Sequence, residues 1–112
     1  MLIIPGNLQP APRMTRRSKF VSEIAKRYLT QKETIQWLAK QAKLPLLYEG
    51  NISISIRFYF NDKRQRDLDN LMKSVTDALN GIAYKDDSQI TIAVLAKYKD
   101  NIPRTEVEIS EA

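Results

Sequence analysis

The sequence predicts an α+β fold in which a mixed β-sheet carries helices on one face, with the element order β-α-β-α-β-β. Three observations predict it. Residues 52–60 alternate apolar and polar with period two. Residues 67–80 place apolar side chains on one stripe of a helix. Two further apolar segments near the end of the chain are separated by Asp100-Asn101, a turn pair. A length of 112 residues suits one hydrophobic core, so residues 1–112 are read as a single domain.

Taken in order, residues 1–4 form a short strand that Pro5-Gly6 stops. Residues 5–19 contain three prolines, which remove backbone donors and disfavour helix in the residue before them, so an extended loop is expected. From about Ser22 to Lys43 the apolar positions Ile24, Tyr28, Ile35, Leu38 and Ala42 recur at helical spacing, and Leu44-Pro45 ends the run. The pattern fits one helix or two with a break near Thr30. Ile52, Ile54, Ile56, Phe58 and Phe60 then make one face of a half-buried strand. In the second helix, Leu68, Leu71, Met72, Val75, Ala78 and Leu79 form the buried stripe, with Asp67 as N-cap and Gly81 just past the end. A third strand over about 89–98 is rich in β-branched residues, and a final strand over 104–109 turns Val107 and Ile109 inward. The pattern leaves the order of strands in the sheet open.

Composition narrows the chemistry. The chain has no cysteine and no histidine, which excludes disulfides, thiolate or imidazole zinc sites, and every triad that needs those side chains. A bound metal would have to be a hard cation held by carboxylate oxygens, Mg²⁺ or alternatively Mn²⁺. No apolar run approaches the roughly 20 residues of a membrane span, and no signal peptide is visible, so a cytoplasmic protein without membrane contact is expected. The net charge of +5 is uneven: nine Lys and Arg stand against three Glu through Glu49, and nine against ten acids thereafter. A basic first half joined to clustered Asp suggests a polyanion surface beside a cation site, although a solvated helix surface explains the first half equally well.

The informative stretch is Arg66-Asp67-Leu68-Asp69-Asn70-Leu71-Met72-Lys73, then Asp77-Ala78-Leu79-Asn80-Gly81, then Asp86-Asp87-Ser88-Gln89-Ile90. Asp69, Lys73 and Asp77 follow one another at spacings of four and share a helix face. Carboxylates gathered in one place repel each other unless a divalent cation neutralises them. Lys73 beside them could neutralise charge developing on a phosphate. Each residue also has a plainer use: Asp67 as a cap, Lys73 as an i,i+4 partner of Asp69 and Asp77, Asp86-Asp87 as turn residues. A strand beginning at residue 89 need not start near the beginning of the second helix, so local spacing alone does not bring Asp67 and Asp87 together.

These three segments resemble the signature of RusA-type Holliday junction resolvases, without a gap from Arg66 to Ile90. Ile4-Pro5-Gly6 and Ala11-Pro12-Arg13-Met14-Thr15 also resemble the opening of phage-type members, and only the helix between residues 20 and 48 contributes little. The resemblance implies a metal-dependent, dimeric crossover junction endodeoxyribonuclease acting on four-way junctions and other branched DNA. It places the essential carboxylates on Asp67, Asp69 and Asp87, with Asp86 as a further metal contributor, and the catalytic lysine on Lys73. Lys97 matches a recurrent family lysine and is taken as DNA-binding. Aromatic residues that open the junction in some members have no counterpart here. Arg13, Arg16, Arg17 and Lys19, crowded into the proline-flanked loop, are expected to track the DNA backbone. Two symmetric cuts call for a C2 homodimer. The competing class is a small, non-catalytic, basic DNA-binding regulator whose aspartates are caps and surface charges; the strand at 52–60 argues against a helix-turn-helix version of it.

Overall fold

A computed structural model describes residues 1–12, 19–42 and 48–112, with the backbone alone at 19–22. The element order is β1 (Leu2–Pro5), α1 (Lys19–Gln41), β2 (Ile52–Phe60), α2 (Leu68–Leu79), a 3-10 turn (Asp87–Gln89), β3 (Ile90–Lys99) and β4 (Arg104–Glu111). This is the expected β-α-β-α-β-β succession. Lys19, expected in the extended loop, instead opens α1.

The strands form one mixed sheet in the order β1-β4-β2-β3. β4 pairs antiparallel with β1 and β2, whereas β2 and β3 are parallel, with Ile54 beside Ala93 and Phe60 beside Lys99. Parallel neighbours need a crossover, and α2 supplies it. Every second residue of β2 is buried, and Leu2, Ile4 and Val107 join it on the same face; Ile109 is half-buried there. Against that face pack Leu71, Val75, Ala78 and Leu79 of α2 and Ile35 and Ala39 of α1. The inward stripe of α1 therefore runs through Ala39; Ala42, expected in it, lies exposed past the helix end.

Helix α1 is continuous through Thr30. The Thr30 hydroxyl donates to the Lys26 carbonyl and the Thr34 hydroxyl to that of Thr30, so neither competes for backbone donors in a way that would break the helix. Gly81 takes φ +79, a conformation costly for any residue with a Cβ, and its N–H returns to the Tyr84 carbonyl. This tight return launches the chain toward β3.

Among the described residues no helix packs on the opposite face of the sheet. There Arg57 bridges Glu106 and Glu108, Arg104 also holds Glu106 and lies over the Tyr59 ring, and Tyr59 stacks on Tyr98. A neutralised polar network can face water without a covering layer.

Candidate active site

The passage from β2 into α2 is built around Arg66. Its guanidinium is buried and grips Asp62 with two hydrogen bonds, Nη1 to Oδ1 at 2.7 Å and Nη2 to Oδ2 at 2.8 Å. The same group lies 4.2 Å over the Phe60 ring, which covers its flat face. Lys97 Nζ donates to the Arg66 carbonyl at 2.6 Å. The residue preceding Asp67 is thus fixed through its side chain and its backbone. Asp62 answers to the same arrangement: hydrogen bonds from Arg66 and from the Arg64 N–H pull its carboxyl down to about 2.

Asp67 follows in extended conformation at the N-cap of α2, yet its side chain makes no cap hydrogen bond. Among the described residues its donor is the Asn70 amide, 3.5 Å from Oδ2, a weak contact. Asp69, in the first turn, is exposed and accepts from the Asn70 N–H. Two carboxylates with open lone pairs therefore stand at the positive end of α2. The segment leading into α2 lines an open cleft of about 270 Å³, rimmed by Lys63, Arg64, Lys97 and Lys99 as well as Arg66; its lining stops one residue short of Asp67. Lys73 is one turn beyond Asp69, exposed, and forms no salt bridge with Asp69 or Asp77.

The N-terminal segment is strapped across the two helices at this end. Gln31 brackets the Gln9 backbone by accepting from its N–H and donating to its carbonyl. The Ser74 hydroxyl also donates to the Gln9 carbonyl, and the Ala11 N–H donates to the Asn70 carbonyl. The chain up to Pro12 is thereby led to the first turn of α2. Arg13, Arg16 and Arg17 lie outside the described residues, as does the side chain of Lys19.

Asp86 and Asp87 occupy the other end of the layer. Asp86 caps the 3-10 turn, accepting from the Ser88 N–H; the Ser88 hydroxyl and then its N–H hold the carboxyl below the ordinary range. Gln89 completes the capping box through Oε1, which accepts from the N–H groups of Lys85 and Asp86, while its Nε2 donates to the carbonyls of Tyr48 and Gly50. Asp87 is the exposed first residue of this turn. Below it the Tyr84 phenol is buried and donates to the Thr76 carbonyl; burial, with the charges of Asp87, Asp77 and Asp86, raises its pKa.

Of the expected carboxylates, then, the fold places Asp67 and Asp69 together and sets Asp86 and Asp87 apart from them. Asp67 follows the end of β2, at Phe60, and Asp87 precedes the start of β3, at Ile90, while β2 and β3 are parallel. The twelve residues of α2 between them span about 18 Å. Among the described residues no group of three or more acidic side chains is arranged to hold a metal. Sequence reasoning missed the Asp62–Arg66 clamp and the contributions of Lys63, Arg64 and Lys99 to the rim. The runs Lys63-Arg64-Gln65-Arg66 and Lys97-Tyr98-Lys99 were the available signals, the second because period two puts both lysines on one face.

A family model described as endodeoxyribonuclease RusA matches residues 5–110. A protein of Bacillus subtilis (strain 168) described as "Uncharacterized protein YqaN" is 30% identical over 101 residues, covering 71% of each chain.

Proposed function

The chain belongs to the RusA endodeoxyribonuclease family, and on that footing we propose that it cuts four-way and other branched DNA by metal-assisted hydrolysis of phosphodiesters. One observation carries the reading: Asp67 stands at a helix N-cap without acting as a cap, directly after a segment that lines a cleft rimmed by cations. A non-catalytic regulator would leave Asp67 to cap α2, and it makes no such bond.

The donor set fits a hard cation. Asp67 and Asp69 offer oxygen ligands alone, and Mg²⁺ takes one or two carboxylates together with water and phosphate oxygens; Mn²⁺ accepts the same set. Such an ion would polarise the scissile phosphate and lower the pKa of an attacking water. The protein's own residues do the rest. Lys63, Arg64 and Lys99 hold backbone phosphates by charge, and Lys97 fixes the entry to α2 while adding its own charge to the rim. Lys73 offsets the charge that develops on phosphate in the transition state. Arg13, Arg16, Arg17 and Lys19 extend the phosphate track along the adjoining segment.

Asp87 joins this site from a second chain. Separation along α2 keeps it from Asp67 of its own chain, whereas a C2 homodimer has a second copy to supply it, with Asp86 orienting the turn that presents it. The same symmetry provides two sites for two cuts.

The test is cleavage of a synthetic four-way junction against linear duplex of the same sequence. Cleavage with Mg²⁺ or Mn²⁺ and none with EDTA is expected. Mixing Asp67→Asn with Asp87→Asn chains tests the sharing: a shared site leaves one intact centre per mixed dimer and restores nicking of one strand. No cleavage of junctions by the wild-type chain overturns the function; no rescue on mixing overturns the sharing alone.

A further inference from the structure

β3 lies at the edge of the sheet and is unlike an ordinary edge strand. It is ten residues long, contains no proline, and runs uncharged through Ile90-Thr91-Ile92-Ala93-Val94-Leu95-Ala96. Ile92 is 51% exposed, Val94 58% and Tyr98 49%. Natural sheets blunt such edges with charge, proline, short length or cover, because unpaired backbone groups beside apolar side chains recruit another strand. The other edge illustrates this: β1 has four residues and ends on Pro5.

The charges of β3 sit at its two ends and are of opposite sign, with Asp86 and Asp87 before it and Lys97 and Lys99 in its last turn of alternation. A segment that is apolar in the middle, acidic at one end and basic at the other is complementary to itself when reversed. Resting on the homodimer reading above, we infer that β3 pairs antiparallel with β3 of a second copy of this chain, about a two-fold axis at Ala93. In that register Ile92 lies opposite Val94 and Thr91 opposite Leu95, so apolar side chains meet on both faces. The ladder ends with Ile90 opposite Ala96, and beyond it the 3-10 turn that carries Asp87 lies toward the Lys97 and Lys99 end of the partner strand. A parallel pairing would instead bring like charges together at both ends, so the charges specify the antiparallel orientation. The two sheets become one of eight strands, with β1 at each outer edge. The acidic end of each β3 then borders the basic end of the other, beside the cleft that Lys97 and Lys99 rim.

The chain has no cysteine, which makes a single introduced thiol a clean reporter. Residues directly opposite in an antiparallel pair have Cα atoms about 4.5–5.5 Å apart, within the range a disulfide spans. Ala93→Cys is expected to form a covalent dimer under mild oxidation, while Ile3→Cys, exposed near the far edge, stays monomeric on a non-reducing gel. Val94→Lys is expected to weaken dimerisation by roughly a hundredfold in sedimentation, since two apolar contacts are lost and two like charges meet, with circular dichroism unchanged. Asp87→Lys and Lys99→Asp each weaken the dimer, and the double variant restores it. If the wild-type chain dimerises but Ala93→Cys links no faster than Ile3→Cys, the β3 interface is overturned and the homodimer stands. A wild-type chain that is monomeric at all concentrations overturns both.

Discussion

The two ends of α2 carry similar acidic motifs and use them differently. At the start of the helix, structural work falls on neighbours: Arg66 binds Asp62, Lys97 binds the Arg66 backbone, and among the described residues Asp67 and Asp69 meet only Asn70. At the far end the structural work falls on an aspartate itself, since Asp86 caps the 3-10 turn with Gln89 and leaves Asp87 free. Each end thus pairs a positioned carboxylate with an accessible one, and adjacent acids in one motif have separate tasks. Counting carboxylates in a motif therefore overstates the number available to a ligand.

The comparison is broken most directly by asparagine substitution. Asp67→Asn and Asp69→Asn are expected to lower junction cleavage by about a thousandfold or more, because the charge proposed to hold the metal is lost, with junction binding in gel shifts nearly unchanged. Asp86→Asn preserves a good capping group and should retain most cleavage. Equal losses at positions 67 and 86 would erase the distinction between free and engaged acids. Lys73→Ala is expected to depress single-turnover rate more than affinity; a change confined to the dissociation constant would reassign Lys73 as a phosphate anchor.

Arg66→Met probes the clamp. The change leaves Asp62 without its partner and exposes the Phe60 ring, and should cost about 2 kcal/mol in urea unfolding, less than the roughly 3–5 kcal/mol of a fully buried pair because Asp62 is partly solvated. Cleavage should fall with it, through the misplaced entry to α2. Unchanged stability with lost cleavage would move Arg66 from the scaffold to the chemistry.

The acid limb of stability sharpens the same point. Asp62 has its carboxyl lowered from 3.8 to about 2 in the folded chain. In that window the unfolded chain binds more protons, so the contribution is complete above about 4 and disappears as pH falls through about 2. Asp62→Asn should flatten the decline of stability between these limits, measured by denaturant midpoints at successive pH values. An unaltered slope would show that the clamp does not persist in solution.

The smallest expected effects concern the basic segment. Arg16→Ala with Arg17→Ala should make the slope of log K against log salt shallower by up to roughly 2, about 0.9 for each lost phosphate contact. Thermal stability should change by less than about 0.5 kcal/mol. A comparable change from Lys63→Ala with Arg64→Ala would join the segment and the cleft rim into one phosphate track; a slope unaffected by either pair would place the DNA elsewhere.

The sequence by itself determined the elements and the faces they bury. The alternation of β2, the stripe of α2 and the turn at Asp100-Asn101 depend on periods of 2.0 and 3.6 and on turn chemistry, all set by residues within a few positions of one another. It also marked Asp67, Asp69 and Asp87 as the residues to watch, through a resemblance carried by contiguous segments. Tertiary structure alone decided which of them meet. Whether Asp87 approaches Asp67 depends on β3 lying parallel to β2, a pairing of segments some forty residues apart that is selected by packing against α1 and α2. That same packing buried Arg66, drew Lys97 onto its carbonyl and left β3 uncovered at the edge. No local pattern encodes these contacts, because each joins side chains whose neighbourhood exists only once the core has closed.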